Sequence, residues 1–87
     1  MASYSVLIKT SAAKELEAVE PRVVRARIVS RIQSLAQIPR PRGSQKLAGE
    51  GDRYRIRQGA HRIVYSVDDE RQIVEVVKIG HRREVYR

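Results

Sequence analysis

The sequence predicts an α+β fold: an N-terminal strand, a two-helix hairpin, then a three-stranded antiparallel meander, forming one sheet with the helices packed on one face. Three observations predict it. Apolar residues recur at helical spacing through Val24, Ile28, Ile32 and Leu35. Runs rich in β-branched and aromatic residues flank that segment, at Tyr4 to Lys9 and again after Arg53. The later runs are separated by two short turn signals, Gly59-Ala60 and Asp68-Asp69-Glu70. The 87 residues make one small domain, residues 1–87, near the lower end of what folds alone around a modest core, with no room for a separate cofactor domain.

The first strand is Tyr-Ser-Val-Leu-Ile-Lys, residues 4–9. Thr10-Ser11 then offers an N-cap for a first helix, with Glu15 near the positive end of its dipole. Pro21 suits the first turn of a second helix, whose apolar stripe faces inward while Arg22, Arg25, Arg27 and Arg31 occupy its other faces as a solvated surface or a contact for RNA or an acidic partner. That helix ends before Pro39. Pro39 to Ser44 is a linker by its Pro and Gly content, and Lys46 to Asp52 a turn-rich approach to the sheet. Strands follow at about Arg53–Arg57, His61–Val67 and Gln72–Ile79. The last is apolar at almost every position, as a strand buried on both sides would be. Gly80 gives it a tight exit that swings His81, Arg82, Arg83 and Tyr86 back over the sheet edge.

A two-residue turn at Gly59-Ala60 fixes the register of the hairpin, with Arg57 opposite Arg62 and Arg55 opposite Val64. Arg53, Arg55, Arg57 and Arg62 then share one face, while Tyr54, Ile56, Ile63 and Tyr65 share the other and pack on the helices. Directly opposed like charges cost stability, a cost that a phosphate between them would offset.

Composition narrows the function classes. The chain carries 18 Lys+Arg against 10 Asp+Glu, a net charge of +8, and its pI is near 10.6, so its field attracts polyanions. Most of the cations are arginines, whose forked donors suit phosphate. With no cysteine and only His61 and His81, thiolate chemistry is excluded and neither a metal site nor any cofactor is expected. The N-terminus lacks a basic segment followed by an apolar run, and no stretch approaches the roughly 20 apolar residues of a membrane span, so a cytoplasmic protein is expected with no membrane partner.

The order strand, helical hairpin, Lys-Leu, Tyr-Arg-Ile-Arg, His-Arg-Ile-Val-Tyr and Gly-His-Arg-Arg-Glu-Val-Tyr-Arg resembles the RelE/ParE superfamily of type II toxins, in particular the RelE-like mRNA interferases. The resemblance spans nearly the whole chain and implies a RelE-like fold. It also implies a ribosome-dependent endoribonuclease that cuts mRNA in the A site, without metal, by attack of a ribose 2′-hydroxyl on the adjacent phosphate. Carried over by motif, it implies that Arg55, Arg57, Arg62, Arg82 and Tyr86 form the active surface, with lysines in some relatives where Arg55 and Arg57 stand here. Lys46, Arg53, Lys78 and Arg83 are the accompanying RNA-contact candidates. The implied partners are a cognate antitoxin protein, mRNA and the ribosome, including the 16S rRNA region of the A site. ParE-like members of the superfamily instead inhibit DNA gyrase without cleaving, which is the alternative reading.

The chemistry asked of these residues is in-line attack, removal of the 2′ proton, stabilisation of a more negative phosphorane-like state and help for the leaving 5′-oxygen. Arginine stays protonated at ordinary pH, so its role is electrostatic. Two groups compete as general base. Tyr86 is favoured by the motif, since neighbouring cations draw a phenol down from its ordinary value near ~10; His81 is favoured by the ordinary range of imidazole. A plain nucleic-acid-binding module would account for the charge but lacks an exposed aromatic platform.

Overall fold

A computed structural model describes residues 3–49 and 51–81. Its elements run β1 (Ser5–Ile8), α1 (Thr10–Glu17), α2 (Arg22–Ser34), β2 (Gln45–Lys46), β3 (Arg53–Gln58), β4 (His61–Asp68) and β5 (Ile73–His81). The strands form one sheet in the order β1-β5-β4-β3-β2, with β1 parallel to β5 and the other neighbours antiparallel. The α+β class and the hairpin-then-meander order are those expected from the sequence. The sheet has one strand more: Gln45-Lys46, at the junction between the expected linker and the turn-rich approach, pairs with Arg55 and Tyr54 along the outer edge of β3.

The core lies between the helices and one face of the sheet. Ala12, Val19, Ile28, Ile32 and Leu35 meet Ile56, Ile63, Tyr65, Val67, Val74, Val76 and Ile79, all buried. Burying each large aliphatic side chain contributes about 1.5–3 kcal/mol, so this single layer of contacts carries most of the fold's stabilisation. No helix among the described residues is long and apolar enough to cross a membrane.

Both helix starts differ from expectation. The N-cap of α1 is Lys9, without a side-chain cap bond, and Thr10 is already helical. The reason is that Lys9 serves two elements: its N–H donates to the Val76 carbonyl at 2.9 Å, and its own carbonyl accepts from Ala13 at 2.9 Å. The chain therefore passes from sheet ladder to helix with no residue between. Glu15 is not in the first turn. Instead its carboxylate accepts the Ile79 N–H at 3.0 Å and pairs with the Lys78 ammonium at 3.1 Å. Pairing of β1 with β5 ends at Val76, so the Ile79 N–H faces an open edge that this carboxylate satisfies. Pro21 stands at the N-cap of α2, in extended backbone, rather than in its first turn.

The expectation that the last strand is buried on both faces is also corrected. Burial along β5 alternates, and a bulge shifts the pairing so that Tyr65 faces Val76 whereas Val64 faces Lys78. The consecutive Val76 and Val77 reflect this extra residue, not a second covered face. Ile79 thereby returns to the core opposite Ile63.

At the end of the sheet near the β4–β5 turn, Arg40 from the linker forms a clasp. Its two terminal nitrogens donate to the two carboxylate oxygens of Asp69 at 3.1 and 2.9 Å, and its Nε to the Tyr54 hydroxyl at 2.9 Å. The guanidinium also lies 5.0 Å from the centre of the Tyr54 ring. The Tyr4 hydroxyl donates to Asp69 at 2.7 Å and the Tyr65 hydroxyl to the Pro39 carbonyl at 2.7 Å. Arg40, then Tyr4, hold the Asp69 carboxyl below its usual range, and the hydrogen bond to that carboxylate raises the Tyr4 phenol. Burial pushes the Tyr65 phenol up to about 12.

Candidate nucleic-acid interface

Gly59 opens the β3–β4 turn with φ +61°, and Ala60 does not share that left-handed conformation, so only the first central position demands glycine. The two-residue turn sets the register read from the sequence: Arg57 opposite Arg62, Arg55 opposite Val64 and Arg53 opposite Ser66. Tyr54–Tyr65 and Ile56–Ile63 alternate with these pairs and face the helices. All four arginines therefore project from the face of the sheet that the helices leave open.

Across that face, successive rows change character. At the hairpin end Arg57, Arg62 and Gly80 are neighbours, and glycine leaves one flank of Arg62 without a side chain. The next row reads Gln45, Arg55, Val64 and Lys78. Farther on stand Arg53, Ser66 and Glu75, then Asp68 and Ile73. Positive charge is thus concentrated toward the hairpin and gives way to carboxylates at the opposite end.

Arg55 and Arg62 are each only 7% exposed, whereas Arg53 and Arg57 are exposed. The Arg55 guanidinium donates to the side-chain oxygen of Gln45, a neighbour that sequence reasoning missed because a two-residue strand has no periodicity to detect. Like charges set directly opposite each other on one face repel, and the Arg57–Arg62 pairing concentrates positive charge at the hairpin end. A phosphate between them would replace that repulsion with two charge-assisted contacts.

Lys46 lies opposite Tyr54, which assigns it to the helix-side face, away from the arginines. Lys78 occupies an open-face register position, but its ammonium is held by Glu15. His81 is not swung over the edge: β5 continues through Gly80 in ordinary strand backbone, and His81 lies opposite His61 with ring centres 6.0 Å apart. The two imidazoles share the helix-side face and border a cleft of about 620 Å³ with Glu15, Glu20 and Ile79. Arg82, Arg83 and Tyr86 lie outside the described residues. Among the described residues, no three His, Cys, Asp or Glu side chains are grouped to hold a metal ion.

What the face offers is therefore guanidinium charge gathered at the hairpin end, beside Gly80 and Val64, a surface suited to gripping and polarising a phosphodiester. A family model described as the ParE toxin of the type II toxin–antitoxin system parDE matches residues 6–86. Toxin RelG of Mycobacterium tuberculosis is 30% identical over 87 residues, covering 97% of each chain. The archaeal RelE of the RelE–RelB complex from Pyrococcus horikoshii superposes with a TM-score of 0.82 at 30% identity, over 94% of this chain and 98% of that one. Isolated E. coli RelE toxin gives 0.77 at 31% identity, over 97% and 92%.

Proposed function

The chain belongs to the RelE/ParE superfamily of type II toxins, and from that membership we propose that it is a ribosome-dependent endoribonuclease that cuts mRNA in the A site and halts translation. The observation that carries this reading is the opposition of Arg57 and Arg62, with Arg55 one row away, on the open face. In this reading the scissile phosphate sits over that pair. Arg55, Arg57 and Arg62, joined by Arg82, stabilise the extra charge that develops as the 2′-hydroxyl attacks in line, and the arginines supply the charge that a metal supplies in other nucleases. Tyr86 takes the 2′ proton; the placement of His81 beside His61, across the sheet from Arg62, favours the phenol over the imidazole for that step. Arg53 and Arg83 extend the RNA contact along the backbone, while Lys46 and Lys78 contribute at the margins.

The protein acts in the cytoplasm and is silenced by a cognate antitoxin. The Pyrococcus horikoshii and E. coli relatives were solved as RelE–RelB and RelBE complexes, which supports such a partner here. An acidic, amphipathic segment would complement the net charge of +8.

Gyrase inhibition is the second reading, favoured by the match to the ParE toxin model. Programmed ribosomes incubated with the purified protein separate the two. An interferase yields 5′ ends within codons, and Arg62→Gln reduces the cleavage rate by about 10²–10³. A gyrase inhibitor leaves the message intact, and its toxicity survives that substitution.

A further inference from the structure

Outside the open face, the most unusual surface is a groove of about 320 Å³ between α2 and the end of β3, lined by Arg27, Ser30, Arg31, Ser34 and Gln58. Arg27 and Arg31 are one helical turn apart, so they project from the same side of α2. The ion pairs among the described residues use Arg40, Arg71 and Lys78, not these two. Arg25, two residues before, is occupied: its guanidinium donates to the Glu17 and Val19 carbonyls at 3.2 and 3.4 Å and ties α2 to the end of α1. The Ser34 hydroxyl donates to the Arg31 carbonyl at 2.6 Å and is left as an acceptor, so the groove's donors are the two guanidinium groups, the Ser30 hydroxyl and the Gln58 amide.

The groove is continuous with the candidate interface. Gln58 directly follows Arg57, and the two project to opposite faces of the sheet. Strand β2 reaches only as far as Arg55, so among the described residues no strand covers the outer edge of β3 at Arg57-Gln58. A belt of donors thus runs from Arg62 and Arg57 round this edge to Gln58, Arg31 and Arg27. No carboxylate and no apolar side chain lines the groove. An amphipathic protein segment would find apolar contacts only in the neighbouring cleft, at Val24 and Ala60, where Glu20 also stands, whereas a phosphate backbone needs only the cations and donors of the groove itself.

We propose that the Arg27–Arg31 groove is a second backbone-binding site, which receives the single-stranded RNA flanking the segment on the open face, the strand rounding β3 at Arg57-Gln58. This rests on the RNA-cleaving reading above. It makes affinity depend on RNA length.

The test uses the full chain and 2′-O-methyl RNA oligonucleotides of increasing length, which cannot be cut by their own 2′-oxygen, with binding followed by fluorescence anisotropy. Arg27→Gln with Arg31→Gln is compared with a charge-matched control, Arg22→Gln with Arg71→Gln, both exposed positions outside the groove. Oligonucleotides short enough for the open face alone should bind both doubles equally. Longer ones should gain affinity with the control but not with the groove double, a difference of roughly tenfold, and the salt slope should fall by about 1–2. Ser30→Glu, which places a carboxylate in the groove and leaves both arginines intact, should reproduce the length-dependent loss. Equal losses for groove and control doubles at every length overturn the proposal, as does a groove that responds only to the antitoxin. An unchanged affinity of Arg57→Gln for short oligonucleotides sinks the open-face reading instead, and the length series still reports on the groove.

Discussion

At the end of the sheet where the chain turns through Asp68 and Asp69, Arg40 finds a carboxylate oxygen for each of its terminal nitrogens, a tyrosine hydroxyl for its Nε and an aromatic ring beneath it. At the hairpin end, the cross-strand neighbours of Arg55 are a valine and a glutamine, and that of Arg57 is another arginine. The same side chain is used once with its charge answered by the sheet's own residues and once with like charge set opposite it. The difference separates a cation that holds the fold from cations that raise a local field. Stability should then follow the first group and function the second.

Exchanging the two outcomes is the strongest way to break that division. Arg57→Gln or Arg62→Gln should cut ribosome-dependent mRNA cleavage by about 10²–10³, measured by primer extension, whereas Arg40→Ala should leave it within a few-fold. The reverse ordering should hold in thermal melts. Arg40→Ala removes a partly exposed ion pair and a cation–π contact, together about 1 kcal/mol, and should lower the melting temperature by about 4–8 °C. Arg57→Gln relieves a like-charge opposition and should leave the melting temperature unchanged or higher.

Smaller effects sharpen the picture of the clasp. Tyr65→Phe deletes the bond to the Pro39 carbonyl, costing about 1 kcal/mol. It should also change the alkaline limb. Burial holds the Tyr65 phenol up at about 12 against an ordinary ~10, so the folded state favours the protonated phenol. That contribution is complete below pH ~10 and is lost as pH rises to about 12. Stability of Tyr65→Phe should fall less steeply over that interval, with the raised Tyr4 phenol supplying the remainder. The smallest effect is expected at acid pH. Asp69 is held below its usual range by Arg40 and Tyr4, so its contribution is present above pH ~3.9 and fades as pH falls through the lower folded value. Asp69→Asn should flatten that part of a denaturation-versus-pH curve.

What could be read from the residues alone follows the reach of local signals. The hairpin register was legible because two residues, Gly59 and Ala60, determine it, and with the register came the face shared by Arg53, Arg55, Arg57 and Arg62. The apolar stripe of Val24, Ile28, Ile32 and Leu35 placed α2 on the core for the same reason. The Arg40–Asp69 clasp was not legible: its partners are 29 residues apart and each sits in a segment that reads as loop. Nor was β2, whose two residues carry no strand propensity and are strands only by pairing with β3. His81 was misplaced because a glycine after an apolar run was read as an exit. Its backbone instead continues the strand, and the alternation of faces carries His81 to His61.

The extra residue in β5 near Val77 has one more consequence. Counting backwards along an unbroken ladder from Tyr65–Val76 would pair Ile63 with Lys78 and Arg62 with Ile79, which puts an ammonium among hydrocarbon and an isoleucine beside the arginines. Letting Val77 bulge out of the ladder keeps the reading frame of the strand just before it leaves the sheet. A one-residue deletion at Val77 would therefore close the ladder with Lys78 still opposite Val64 and Ile79 still opposite Ile63, and would remove only the local bend that the bulge puts into the strand.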